Sequence, residues 1–116
     1  MIYHITYPAF WQKALREGQY IPEGFEQDGY IHCSKMEQIA GVGRDYYAGQ
    51  SDLLILGINP DKLTAKLVFE NLIGGEVMFP HIYGPLNLDA VESTADFGVK
   101  TDGTFEFPRT WVLTKQ

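Results

Sequence analysis

Cysteine is almost missing from this chain: Cys33 stands alone among 116 residues. One thiol closes no internal disulfide, which fits a reducing compartment. Basic residues are scarce too, with 9 Lys and Arg against 15 Asp and Glu and a formal charge of -6. That balance argues against a sequence-independent grip on nucleic acid, which depends on Lys and Arg releasing counterions from phosphates, so no nucleic-acid partner is expected. A local basic pocket stays open. No apolar run approaches the length needed to span a bilayer, and the opening MIYHITYPAF carries no basic leader, so the expectation is a cytoplasmic protein without a membrane partner. Internal repeats, low-complexity tracts and linkers rich in Pro, Gly or Ser are also lacking, which predicts a single domain over residues 1–116. What is present is an ordinary folding composition: 45% apolar and 21% charged residues exclude a disordered chain.

Periodicity supplies the elements. Residues 1–7 alternate Ile2, His4 and Thr6 against Tyr3, Ile5 and Tyr7 and read as a strand with His4 and Thr6 on one face. Pro8 suits a first helical turn, Phe10, Trp11, Ala14 and Leu15 recur as a buried stripe, and Gly18 offers a left-handed stop. Residues 19–28 read as a loop. GYIHCS is a short strand, and Ser34 with Glu37 matches a capping box at the start of a helix. That helix turns Met36, Ile39, Ala40, Gly43, Tyr46 and Tyr47 to one side, with Gly49 as its end. Residues 52–58 are continuously apolar, as in a strand covered on both faces. AKLVFEN is a further strand with Lys66, Val68 and Glu70 on one side. Pro80 cannot donate to a ladder and places EVMFPHIYGPL at an edge or on its way out of a sheet. His81 and Tyr83 share a face there. LDAVES and TFEFPRTWVL supply later strands, with a turn at Asp102-Gly103. The order predicts an α+β domain with two helices toward its N-terminal half.

All three histidines fall on strands, and each has a hydroxyl residue two positions on: His4 with Thr6, His32 with Ser34, His81 with Tyr83. Taken singly, a histidine on a half-buried strand usually bonds a backbone carbonyl and does no chemistry. The recurrence, and the place of His32 just ahead of a helix N-terminus where free amides favour a phosphate or carboxylate, point to a ligand site. Imidazole can also hold a ribose hydroxyl. Metal chemistry fits less well, because neither HExxH nor CxxC is present, and no metal is expected. Strand alternation turns Cys33 away from His32, which makes it a buried apolar residue and not a nucleophile. No P-loop or GxGxxG fingerprint is present, and the glycines of GVGRDYYAG lie inside the predicted helix.

The blocks IYHIT, GYIHCS and FPHIYGPL, in that order, resemble the signature blocks of a family of small bacterial proteins, domain of unknown function 952, from Ile2 to about Val91. More distantly, IYHIT followed by DGYIHCSK resembles the paired strand blocks of RNA 2'-phosphotransferases in the ADP-ribosyltransferase fold group. That likeness implies two packed, bent sheets forming a cleft, with NAD as the cofactor or substrate and a small-molecule nucleotide as the partner. Carried over, His4, Thr6, His32 and Ser34 would hold ribose and phosphates, and His81 with Tyr83 would manage the reacting end. The chain lacks the N-terminal lobe and arginines of the phosphotransferases, which sets RNA 2'-phosphate removal aside. Many relatives end with a glutamate that stabilises the ribosyl cation; Glu76 and His81 lie in the corresponding late stretch. Two functions follow: transfer or hydrolysis of ADP-ribose from NAD, or a non-catalytic module that binds a nucleotide or ADP-ribose.

Overall fold

Sheet A is built around β4 (Leu53–Ile58), whose six residues are all buried. It is the middle strand of an antiparallel sheet flanked by β1 (Ile2–Thr6) and β8 (Val91–Phe97). The computed structural model describes residues 1–72 and 74–104. Alternation on β1 and β4 sorts their side chains into two cores. Ile2, Leu54, Leu56 and Ile58 join one cluster, while Tyr3, Ile5, Leu53 and Ile55 join the other. Both faces of β4 are therefore covered, as its unbroken apolar run predicts. Gly57 is required here, since a Cβ would collide with the Ser93 hydroxyl on β8, and the register shifts between Gly57 and Ile58.

Sheet C holds β3 (Ile31–His32), β6 (Phe79–Tyr83) and β5 (Lys66–Glu70), with β6 in the middle. Its inner face presents Ile31, Cys33, Ile82 and Leu67 to the first cluster, so the two sheets pack against each other there. The outer face carries the alternate residues. A short ribbon of β2 (Gln19–Tyr20) and β7 (Leu86–Asn87) completes the strands.

Helix α1 (Pro8–Glu17) starts with Pro8 in its first turn and stops at Gly18, whose φ of 86° lies in the left-handed region. Ala14 is buried, Phe10 and Trp11 pack on the same cluster, and Leu15 points to solvent instead of completing the stripe. One turn, α2 (Phe25–Asp28), interrupts the expected loop. Helix α3 (Ile39–Tyr46) buries Ile39, Val42 and Gly43 against the second cluster; Met36, Ala40 and Tyr46, expected on that face, are exposed. Among the described residues the three helices all precede residue 47, where two were expected toward the N-terminal half.

Three local expectations are corrected. Ser34 does not cap a helix: a 3-10 turn at Met36–Gln38 precedes α3, and the Lys35 amide donates to the Gln38 side-chain oxygen at 2.9 Å. Ser34 instead pairs with Tyr3 through reciprocal backbone bonds of 2.8 Å. Pro80 lies in the central strand of its sheet, not at an edge. It is tolerated because its nitrogen falls where β3 ends: Cys33 donates to the Pro80 carbonyl and receives nothing back. The strand expected over LDAVES starts only at Val91, after a 3-10 turn at Leu88–Ala90, and runs to Phe97 ahead of the Asp102-Gly103 turn, in which the Gly103 amide donates to the Lys100 carbonyl. The strand expected in 104–113 lies, from residue 105 onward, outside the described residues.

Candidate functional site

The register of sheet C gathers polar side chains on its outer face. His32 pairs with His81, and His81 pairs with Val68. Tyr30, Phe79, Tyr83 and Glu70 stand two residues from those positions, so alternation turns them the same way. Tyr30 stacks on His81 with ring centroids 4.2 Å apart. Phe79 and His81 each lie 5.3 Å from the His32 ring. A hollow of about 160 Å³ opens over this face, lined by Tyr30, His32, Glu70, Phe79 and His81 and walled by Val42 and Tyr46 of α3. An engineered cavity of about 150 Å³ holds benzene. The hollow thus has the size of one six-membered ring.

Its polar groups form a chain. The Tyr83 hydroxyl donates to Glu70 Oε2, which also lies 2.9 Å from His81 Nδ1. The other His81 nitrogen, Nε2, is 3.3 Å from His32 Nδ1. His81 is 4% exposed, while His32 is open to solvent. Hydrogen bonds from Tyr83 and His81 hold the Glu70 carboxyl below its usual pKa, and the bond to Glu70 pushes Tyr83 up to about 12. Burial, and then the neighbouring His81, lower His32.

His4 and Thr6 lie elsewhere. They line a second hollow of about 300 Å³, with Tyr20 and Phe10. The Tyr20 hydroxyl sits 2.8 Å from both His4 Nε2 and Thr6 Oγ1. His4 Nδ1 lies 2.7 Å from the His32 carbonyl, which can only accept, so Nδ1 carries the hydrogen. For a neutral ring, Nε2 then accepts from Tyr20, and Thr6 donates to Tyr20. Burial lowers His4 to about 4, so the ring is neutral at pH 7. Both its nitrogens are spent inside the protein.

Of the residues singled out in the sequence, the structure brings together His32, His81 and Tyr83. His4 and Thr6 form a separate group, joined to the first through the His32 carbonyl. Ser34, 2% exposed, lines neither hollow. Glu76 is exposed ahead of β6 and lines neither hollow. The carboxylate beside His81 is that of Glu70, which sequence reasoning passed over. Alternation puts Glu70 on one strand face with Val68, but only the register of β5 against β6 brings that face beside His81. Tyr20, in the segment read as a loop, and Tyr30, in the GYIHCS strand, were passed over as well. Cys33 is buried as expected, and burial raises its thiol pKa. Among the described residues no cluster of three or more His, Cys, Asp or Glu is arranged to hold a metal. No helix among them is long and apolar enough to cross a membrane.

The family described as "Protein of unknown function (DUF952)" matches residues 5–94. The chain belongs to that family. Among solved structures, the crystal structure of protein CC0527 from Caulobacter crescentus is 33% identical, covers 89% of this chain and 90% of its own, and superposes with a TM-score of 0.78. A double mutant of CC0527 gives 32% identity over 89% and 90% with a TM-score of 0.77. The solution structure of CC0527 gives 30% identity over 88% of each chain and a TM-score of 0.67. No curated protein matches the chain.

Proposed function

We propose that this member of the DUF952 family binds NAD or a related nucleotide over the outer face of sheet C and transfers or hydrolyses its ADP-ribose. The observation that carries the reading is Glu70, a partly buried carboxylate fixed by Tyr83 and His81 at the wall of a ring-sized hollow. Departure of nicotinamide leaves positive charge on the ribose, and a preorganised carboxylate beside it is the stabiliser that such a reaction needs. Tyr30 and Phe79 offer aromatic faces to the departing ring. No Lys or Arg among the described residues lines the hollow, so the pyrophosphate lies outside it on this reading. The ADP-ribosyltransferase fold group, which the IYHIT and DGYIHCSK blocks resemble, belongs to the same proposal. A cytoplasmic location does too.

A second reading, a nucleotide-binding module without turnover, is favoured by one observation. His4 and Thr6, which the resemblance would place on the ribose, are committed to Tyr20 and to the His32 carbonyl. Calorimetric titration with NAD, ADP-ribose and nicotinamide tests both readings, and both fail if none binds at millimolar concentration. Nicotinamide release over time then separates them: accumulation supports the enzyme, and binding without release supports the module.

A further inference from the structure

We infer that Tyr83, Glu70, His81 and His32 form a one-way hydrogen-bond chain that leaves His32 Nε2 a bare proton acceptor at the hollow, suited to a ligand hydroxyl. The direction follows from what each group can do. An ionised Glu70 only accepts, so the proton shared with His81 sits on His81 Nδ1. In a neutral His81 the other nitrogen, Nε2, then has no hydrogen. The contact at 3.3 Å requires a donor, which is His32 Nδ1–H. A neutral His32 with its hydrogen on Nδ1 exposes a lone pair on Nε2, which has no protein partner among the described residues. Neutral imidazole in water favours the opposite tautomer, so the protein imposes this one. Tyr83 and Glu70 are positioning residues here, and His32 is the group that meets the ligand.

The ligand class follows from the same atom. A carboxylate or a fully ionised phosphate has no hydrogen to give and would need a donor at Nε2, so neither is held there. The bare nitrogen accepts from a donor, and the transfer proposed above calls for the O–H of a ribose or of water. Resting on the function proposed above, the transfer step balances without a further reactant. The C1'–N1 bond to nicotinamide breaks with its electron pair going to nicotinamide, the acceptor oxygen bonds C1', and its proton passes to His32 Nε2. The resulting imidazolium keeps its Nδ1–H on His81, backed by the Glu70 charge.

Nitrogen-15 NMR of the histidine rings in the full chain, without ligand at pH 7.5, tests the chain of bonds directly. Both His32 and His81 are expected as Nδ1–H tautomers. In Glu70→Ala and in His81→Phe, His32 is expected to revert to the Nε2–H form, and the second variant decides the matter if the first fails to fold. His32 found as Nε2–H in the wild type, or unmoved in both variants, overturns the chain whether or not any nucleotide binds. Titration of the wild type with ADP-ribose should then shift His32 Nε2 in the direction of an accepted hydrogen bond, while acetate, which has no hydrogen to donate, should not. A correct tautomer with no Nε2 response to millimolar ADP-ribose overturns the hydroxyl assignment and the proposed function, yet leaves the bond directions standing.

Discussion

Two histidines one sheet apart meet opposite fates. His4 lies on β1 with both nitrogens bonded inside the protein, one to a carbonyl and one to the Tyr20 hydroxyl. His32 lies on β3 with one nitrogen held by His81 and the other facing a hollow. The difference comes from the surface each strand shows. The His4 face of sheet A is pressed against sheet C and α1, where an unpaired polar atom would be costly. The His32 face of sheet C is the outer one, covered only in part by α3. A histidine on a strand is therefore read by asking which of its nitrogens is spoken for.

Several measurements would break or sharpen this contrast, and the largest effect belongs to His4. Its pKa is 6.5 in an unfolded chain and about 4 in the folded protein. Between those values the unfolded state binds more protons, so stability is full above pH 6.5, falls as pH drops toward 4 and then levels off. The loss should reach at most about 3 kcal/mol. Chemical denaturation from pH 7.5 to 4 should show this slope, and a His4→Phe variant should flatten it. An unchanged slope would mean that His4 is not the sealed group described.

Next comes Tyr20→Phe, which strips the hydroxyl shared by His4 and Thr6 and should destabilise the fold by about 1–3 kcal/mol, as for a buried polar group left unsatisfied. Tyr83→Phe, its counterpart on the open face, should leave the urea midpoint unchanged. Gln38→Ala should cost about 1 kcal/mol as the loss of a cap, whereas Ser34→Ala should fall within about 0.5 kcal/mol, reversing the roles that the sequence suggests. His32→Ala is likewise expected to cost no more than about 0.5 kcal/mol by the same denaturation curves, while NAD binding disappears by calorimetry. A large stability loss at His32 would move it into the class of His4 and end the contrast.

Much of the frame was legible in the residues. The alternation of β1, the Pro8 and Gly18 punctuation of α1, and the unbroken apolar run of β4 each state a burial pattern, and burial patterns are local. The expectation that His32 and Cys33 point to opposite sides was of this kind. Pairings across the chain were not legible, because they depend on register. Glu70 reaches His81 only because Val68 lies opposite His81, and the segment joining β5 to β6 sets that offset. Nothing in the spelling of either strand states it. Ser34 misled for the opposite reason: its local motif was sound, but a backbone bridge to Tyr3 claimed the residue first. The wider ADP-ribosyltransferase likeness rests on short blocks and stays within the proposal.

The run from Ile31 to Ser34 bonds to β6 on one side and to Tyr3 of β1 on the other, and Pro80 marks where the first set of bonds gives out. Four residues thus act as a seam between the two sheets. Peeling either sheet away would have to tear this seam, so the amides of Tyr3, Cys33 and Ser34 should exchange with deuterated solvent at one common rate, that of whole-molecule opening.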